Sequence, residues 1–141
     1  MEIREYLKID ERDVLILWEK CGLIVPWNNA LLDIKRKLNV NRELFLVGVG
    51  EGKVIATAMG GYDGHRGWIN YLAVHPDLRR YGFGREIMEA VEHLLKKMGC
   101  PKINLQVRAS NKDVISFYQS LDYKDDNVIS LGKRLIVDLK D

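Results

Sequence analysis

The sequence predicts an α+β domain of three layers, and three observations carry that expectation. Stretches with apolar residues at helical spacing are interleaved along the chain with short apolar runs of strand length. Two of those runs meet across turn residues that favour a hairpin, so the sheet reads as mixed but mainly antiparallel. A glycine-rich turn then joins a strand to the clearest amphipathic stretch. With 141 residues, 47% of them hydrophobic and 30% charged, the chain can bury a real core. No linker, repeat or low-complexity tract divides it, so one domain, 1–141, is expected.

Residues 3–7 read as a short opening strand. Asp10 is placed to cap a helix on which Val14, Leu17, Trp18 and Cys21 recur at helical spacing. Pro26-Trp27-Asn28-Asn29 interrupts, and a second helix carries Leu31, Ile34 and Leu38. Residues 44–49 and 54–59 are strands joined through Glu51-Gly52-Lys53. The loop Asp63-Gly64-His65-Arg66-Gly67 leads into a third long strand, 68–74, which His75-Pro76 ends. The helix after the glycine turn places Ile87, Val91, Leu94, Leu95 and Met98 on one face, with Gly99 as its stop. Residues 102–108 alternate Ile103, Leu105 and Val107 as a strand does. Asn111 or Ser110 caps a last helix bearing Val114, Phe117, Tyr118 and Leu121, and 128–139 fold back at Gly132-Lys133 as a hairpin.

Composition narrows the function. A net charge of +2 makes no case for nucleic acid. Cys21 and Cys100 are too few and too far apart for a disulfide framework or a metal cluster, and the three histidines lack ligand spacing, so no metal is expected. The first residues lack the apolar segment of a secretion signal, and no apolar run is long enough to span a bilayer. These features point to a cytoplasmic protein with reduced thiols and no membrane partner.

The stretch Arg79-Arg80-Tyr81-Gly82-Phe83-Gly84-Arg85 follows Tyr71-Leu72-Ala73-Val74 and opens the amphipathic helix. Helix-start N–H groups lack intrahelical partners and carry the positive end of the dipole. Two glycines let a phosphate approach the backbone, and three arginines add charge and forked donors. A Rossmann fingerprint would need a third Gly or Ala where Ile87 stands; in a Walker A reading, Gly52-Lys53 is followed by Val54 rather than Ser or Thr. Arg79-x-x-Gly82-x-Gly84 resembles instead the acyl-CoA signature of the GNAT superfamily, the Gcn-related N-acetyltransferases. Leu105-Gln106-Val107-Arg108-Ala109-Ser110-Asn111, followed by Phe117-Tyr118-Gln119-Ser120-Leu121, is similar to the fifth strand and fourth helix of its ribosomal-protein N-terminal acetyltransferases.

The resemblance implies a three-layer α/β/α fold whose central sheet is splayed at the acyl-CoA site. Leu72, Ala73 and Val74 would bond the pantetheine arm and the thioester carbonyl through main chain. Arg79, Arg80, Tyr81, Gly82, Phe83, Gly84 and Arg85 would hold the pyrophosphate of acetyl-CoA. Asn111 would hold the pantetheine arm, although a helix cap explains it equally well, and Tyr118 would line the cofactor site and act as general acid. The general base is open: Gln106 and Trp68 stand where relatives carry carboxylates, leaving Asp63, His65 and Tyr71 as candidates, or else an acceptor that arrives already neutral. Trp27, Asn28 and Asp33, with Arg66 across the cleft, would meet the acceptor. The implied activity is direct acetyl transfer to a primary amine of a peptide or small molecule. A non-catalytic acyl-CoA-binding module is the alternative, and a homodimer is left open. After Leu121 relatives usually place Gly, where this chain has Asp122.

Overall fold

Five strands and four helices follow the expected order as far as the end of the fourth helix in a computed structural model, which describes residues 1–138. Strands β1 (Glu2–Glu5), β2 (Phe45–Gly50), β3 (Lys53–Tyr62), β4 (Gly67–Val74) and β5 (Ile103–Leu105) lie side by side in that order. The first three junctions are antiparallel and β4–β5 is parallel, so the sheet is mixed and mainly antiparallel. Helices α1 (Glu11–Lys20) and α2 (Ala30–Lys37) cover one face; α3 (Phe83–Lys97) and α4 (Lys112–Ser120) cover the other.

Side-chain alternation builds both layers. Phe45 and Val47 enter the core beneath α1 and α2 with Val14, Leu17, Trp18 and Ile34. Leu46, Ala56 and Ala58 face Ile87, Met88, Val91 and Leu95 of α3. Those four recur on one stripe of the helix, and each removes about 2 kcal/mol worth of apolar surface from water.

Several boundaries depart from the sequence reading. β1 stops at Glu5, because Tyr6 turns into the core and stacks on Phe45 at 4.5 Å while Leu7 is left outside. Asp10 does not cap α1: its backbone is already helical, and its buried carboxylate accepts from the Leu7 N–H at 2.8 Å and the Arg4 guanidinium at 2.7 and 2.9 Å. That hydrogen-bonded ion pair holds the Asp10 carboxyl below its ordinary range against the opposing effect of burial. β3 runs on to Tyr62 because Gly60 and Gly61 still pair with Ile69 and Trp68. β5 ends at Leu105; Val107 keeps the alternation but has no strand beside it to complete a ladder among the described residues. For the same reason the hairpin expected at 128–139 does not form among the described residues, and position 139 lies outside them. Val128, Ile129, Leu131, Leu135, Ile136 and Val137 are exposed.

The end of α4 shows what Asp122 costs. Its φ is +71°, its N–H donates to Gln119 O at 3.0 Å, and the Tyr123 N–H reaches Tyr118 O at 3.1 Å. The Tyr123 ring sits edge-on to Tyr118 at 5.7 Å, completing a Schellman-type stop. A left-handed residue with a Cβ costs roughly 1 kcal/mol, less for Asp than for most, and an acid at a helix C-terminus adds about 0.3 kcal/mol. Asp122→Gly is therefore expected to stabilise the fold by about 1 kcal/mol in urea melts while leaving ligand affinity unchanged, the glycine's unfolded-state entropy notwithstanding. A variant weaker than the parent would show that the Asp122 side chain contributes a contact worth more than the strain.

Candidate active site

The decisive irregularity lies in β4. Thr57 pairs with Ala73 and Met59 with Asn70, so Tyr71 and Leu72 together oppose the single residue Ala58. This is a β-bulge, and Tyr71 occupies it with φ at +50°, a conformation costing a non-glycine residue about 1 kcal/mol or more. The extra residue resets the alternation: Ile69, Leu72 and Val74 share the α3 side, whereas Tyr71 and Ala73 pack with α1. Two buried hydrogen bonds tie the bulge down. The Trp18 indole Nε1–H donates to the Thr57 hydroxyl at 2.8 Å, and that hydroxyl donates to the Tyr71 carbonyl at 2.8 Å.

After Ile69 β4 has no strand on its β5 side among the described residues. The parallel ladder with β5 covers only Gly67↔Ile103 to Ile69↔Leu105, yet β4 continues to Val74. The His75 N–H bonds Ile55 O at 2.8 Å, which sets the phase. By alternation Ala73 also turns its N–H to β3, while Leu72 and Val74 turn theirs toward the open side. Of the three main-chain donors expected from the sequence, two therefore face the gap. The Val74 carbonyl takes the Cys21 thiol at 3.3 Å and Arg79 Nε at 3.4 Å.

The glycine turn opens α3 as anticipated. Gly82, at φ +84°, is the N-cap, no side chain caps the helix, and the Glu86 N–H onto Gly82 O at 3.0 Å is the first closed turn. This leaves the N–H groups of Phe83, Gly84 and Arg85 at the head of a 15-residue helix. Arg80 is also left-handed, at φ +71°, two residues before the left-handed Gly82. Arg79, Arg80, Tyr81 and Arg85 are exposed around it, Tyr81 stacked on Phe83 at 6.1 Å. The two glycines differ in purpose. A Cβ on Gly82 would meet nothing within 4 Å, whereas one on Gly84 would stand 3.0 Å from Phe117 Cζ. Gly84 thus lets α4 approach α3.

That approach seats Tyr118. Its ring is buried in the core cluster that includes Leu72 and Val74, edge-on to Phe117 at 5.2 Å. No hydrogen bond engages its hydroxyl among the described residues, whereas Tyr123 donates to Glu92 at 2.6 Å. Burial pushes the Tyr118 phenol up to about 12. Asn111 does cap α4, accepting from the Val114 N–H at 3.3 Å, while Ser110 does not, and the Asn111 amide N–H₂ stays available to a ligand.

On the α1–α2 side, Tyr71 stacks on Trp18 at 3.8 Å and its hydroxyl donates to Asp33 Oδ2 at 2.6 Å. Burial, reinforced by that carboxylate, pushes the Tyr71 phenol far up. Arg36 stands 3.8 Å from Asp33 and bonds Asp138 through both terminal nitrogens. Asn28 accepts from Arg134 at 2.7 Å, and Arg108 lies 5.3 Å over the half-exposed Trp27 ring. The structure thus gathers Trp27, Asn28, Asp33 and Tyr71 near the start of α2. It does not bring Asp63, His65 and Arg66 to them. These sit before Gly67, and at ~3.3 Å per residue the five steps to Leu72 span about 17 Å. Asp63 is spent on its own loop, accepting from the N–H groups of His65 and Arg66 at 2.8 and 2.7 Å and from the Trp68 indole at 3.1 Å. Led by those backbone bonds, its carboxyl is held down to about 2, too acidic to take a proton from an amine.

The family model described as the acetyltransferase (GNAT) family matches residues 5–123. The chain belongs to the GNAT family. An acetyltransferase of Yersinia enterocolitica is 50% identical to it over 138 residues, 98% of each chain. Among solved structures, AAC(6')-Iy in complex with the bisubstrate analogue CoA-S-monomethyl-acetylneamine superposes with a TM-score of 0.77 at 18% identity, covering 94% of this chain and 97% of that one. The ribosomal-protein alanine N-acetyltransferase from Escherichia coli gives 0.70 at 24% identity, over 85% and 75%. At these identities the structural likeness concerns the fold.

In this GNAT acetyltransferase the side chains of Gln106 and Trp68, where the resemblance implied carboxylates in relatives, are both engaged: Gln106 donates to Ser130 Oγ, and Trp68 to Asp63. Thr57 at the bulge and Phe117 between Gly84 and Tyr118 are contacts to which the sequence reading gave no role at the site. The one signal for Thr57 was a hydroxyl inside an otherwise apolar strand. For Phe117, the pattern spoke only of a core stripe.

Proposed function

We propose that this acetyltransferase uses acetyl-CoA to acetylate a primary amine, on a peptide N-terminus, a lysine or a small molecule, by direct transfer in the cytoplasm. The observation that carries this reading is the β4 gap, bounded by the Leu72 and Val74 N–H groups, the uncapped α3 start and the Tyr118 hydroxyl, which makes no hydrogen bond among the described residues. Acetyl-CoA, when bound, supplies the acetyl group as a thioester. Val74 holds the pantetheine arm through main chain, and the N–H groups of 83–85 with Arg79, Arg80 and Arg85 receive the pyrophosphate. Leu72 N–H donates where oxyanion charge develops. Tyr118 donates toward the sulfur as it leaves. Trp27, Asn28, Asp33 and Tyr71 form the acceptor side, and Asp33 suits a cationic amine.

Among the described residues no group of three His, Cys, Asp or Glu side chains could hold a metal, and no helix is long and apolar enough to cross a membrane. The test is binding and turnover together. CoA at one hundred times its Kd is expected to stabilise the fold by about 2.7 kcal/mol, with CoA release on a panel of amines, peptides and aminoglycosides. The absence of both calorimetric heat and a melting shift would sink the acyl-CoA site. Binding without turnover on any amine would favour a sensor module.

A further inference from the structure

We infer that Thr57 is a positioning residue for acetyl transfer, clamping the β4 bulge so that the Leu72 N–H stays aimed at the gap; this rests on the acyl-transfer reading above. A left-handed residue inside a strand persists only when its surroundings over-determine it. Tyr71 carries no glycine advantage, and its carbonyl lies where the ladder with β3 shifts register. The group that takes up that carbonyl is the Thr57 hydroxyl, at 2.8 Å and fully buried. A hydroxyl that donates needs something to orient its proton, and the Trp18 indole provides it by donating to the same oxygen at 2.8 Å from an equally buried position. The chain of bonds therefore has one direction: indole to hydroxyl to carbonyl.

The consequence falls on the peptide unit that joins Tyr71 to Leu72. Its C=O is the atom Thr57 holds, and its N–H is the Leu72 donor on the other side of the same rigid plane. Fixing one end of a planar amide fixes the direction of the other. Electrostatic help to a reacting carbonyl depends on donors that are aimed before the reaction begins. The Tyr71 ring, stacked on Trp18 at 3.8 Å, adds a second hold on the same residue from the same helix.

The experiment compares Thr57→Val, Thr57→Ser and Trp18→Phe in turnover and in calorimetric CoA titration. Valine keeps the shape and removes the hydroxyl, and kcat is expected to fall at least tenfold with the Kd for CoA within about threefold of the parent. Serine restores the hydroxyl and is expected to bring kcat back to within about threefold, although it lacks the methyl group. Trp18→Phe keeps a stacked ring without the indole donor and is expected to lower kcat by a smaller factor; it carries the test if the valine variant does not fold. Unchanged kcat in the folded variants overturns the proposal. So does a serine variant as poor as valine, or a CoA affinity that falls in step with kcat, since either would mark the hydroxyl as merely structural. A parent protein that binds CoA yet acetylates nothing would remove the acyl-transfer reading itself, whereas an active parent with an active Thr57→Val removes only the clamp.

Discussion

Replacing Tyr118 by Phe is expected to lower kcat by about 10²-fold while leaving CoA affinity and stability nearly unchanged. The hydroxyl makes no bond that holds the fold among the described residues, and the ring contacts to Phe117 and Tyr123 survive in phenylalanine. The structure also alters how the proton is used. With the phenol pushed up to about 12 by burial, complete transfer to a thiolate near ~8.5 would be uphill by about 5 kcal/mol. In the proposed reaction Tyr118 would therefore act as a hydrogen-bond donor whose bond strengthens as sulfur charge grows. It follows that Tyr118 stays protonated across the ordinary assay range and contributes no falling limb to the kcat profile between about pH 7 and 10. An unchanged kcat in Tyr118→Phe would return the residue to the core. A collapse of folding would show that the hydroxyl is structural.

The second large effect separates the two glycines of the turn. Gly84→Val is expected to destabilise the protein by about 2 kcal/mol, since its Cβ would meet Phe117 Cζ at 3.0 Å and crowd the contact of α3 with α4. Turnover falls as well, because Phe117 lies against Tyr118. Gly82→Ala has room for its methyl group, but φ at +84° costs it about 1 kcal/mol, and the added Cβ stands on the backbone where phosphate would approach. Its expected signature is a CoA Kd raised about tenfold, or about 1.4 kcal/mol, in a protein that still melts cooperatively. Urea melts and titration calorimetry on the pair decide the matter. A stable Gly84→Val would contradict the packing role, and normal CoA binding by Gly82→Ala would place the phosphates elsewhere.

Both glycines were visible as a motif, and their different physical reasons were not. The pattern of Gly82 and Gly84 beside arginines signals a helix start open to an anion, because that property is local to five or six residues. That Phe117, more than thirty residues later, fills the space above Gly84 is a fact of packing. The acceptor side divides in the same way. Tyr71 and Asp33 meet in a 2.6 Å hydrogen bond, whereas Asp63 and His65 lie in the loop that precedes β4. Residue type made them candidates, but only the fold shows their distance.

Periodicity and turn residues were enough for the four helices, the long strands and the glycine stop after α3, since each depends on neighbours within about one helical turn, while the left-handed Asp122 was expected from the resemblance. The bulge is different in kind. In sequence Ile69, Tyr71 and Ala73 alternate as one face of a strand, and nothing in that run announces that one residue is supernumerary. Only pairing with β3, which counts two residues against one, turns Tyr71 to the other face, and Trp18 on α1, Asp33 on α2 and Thr57 on β3 hold it there. The tail likewise carries strand-like residues that find no partner beside β5 among the described residues. Local preference decides what a segment can be; whether a ladder forms, slips or opens depends on the strand beside it, and that neighbour is chosen by the packing of the whole domain.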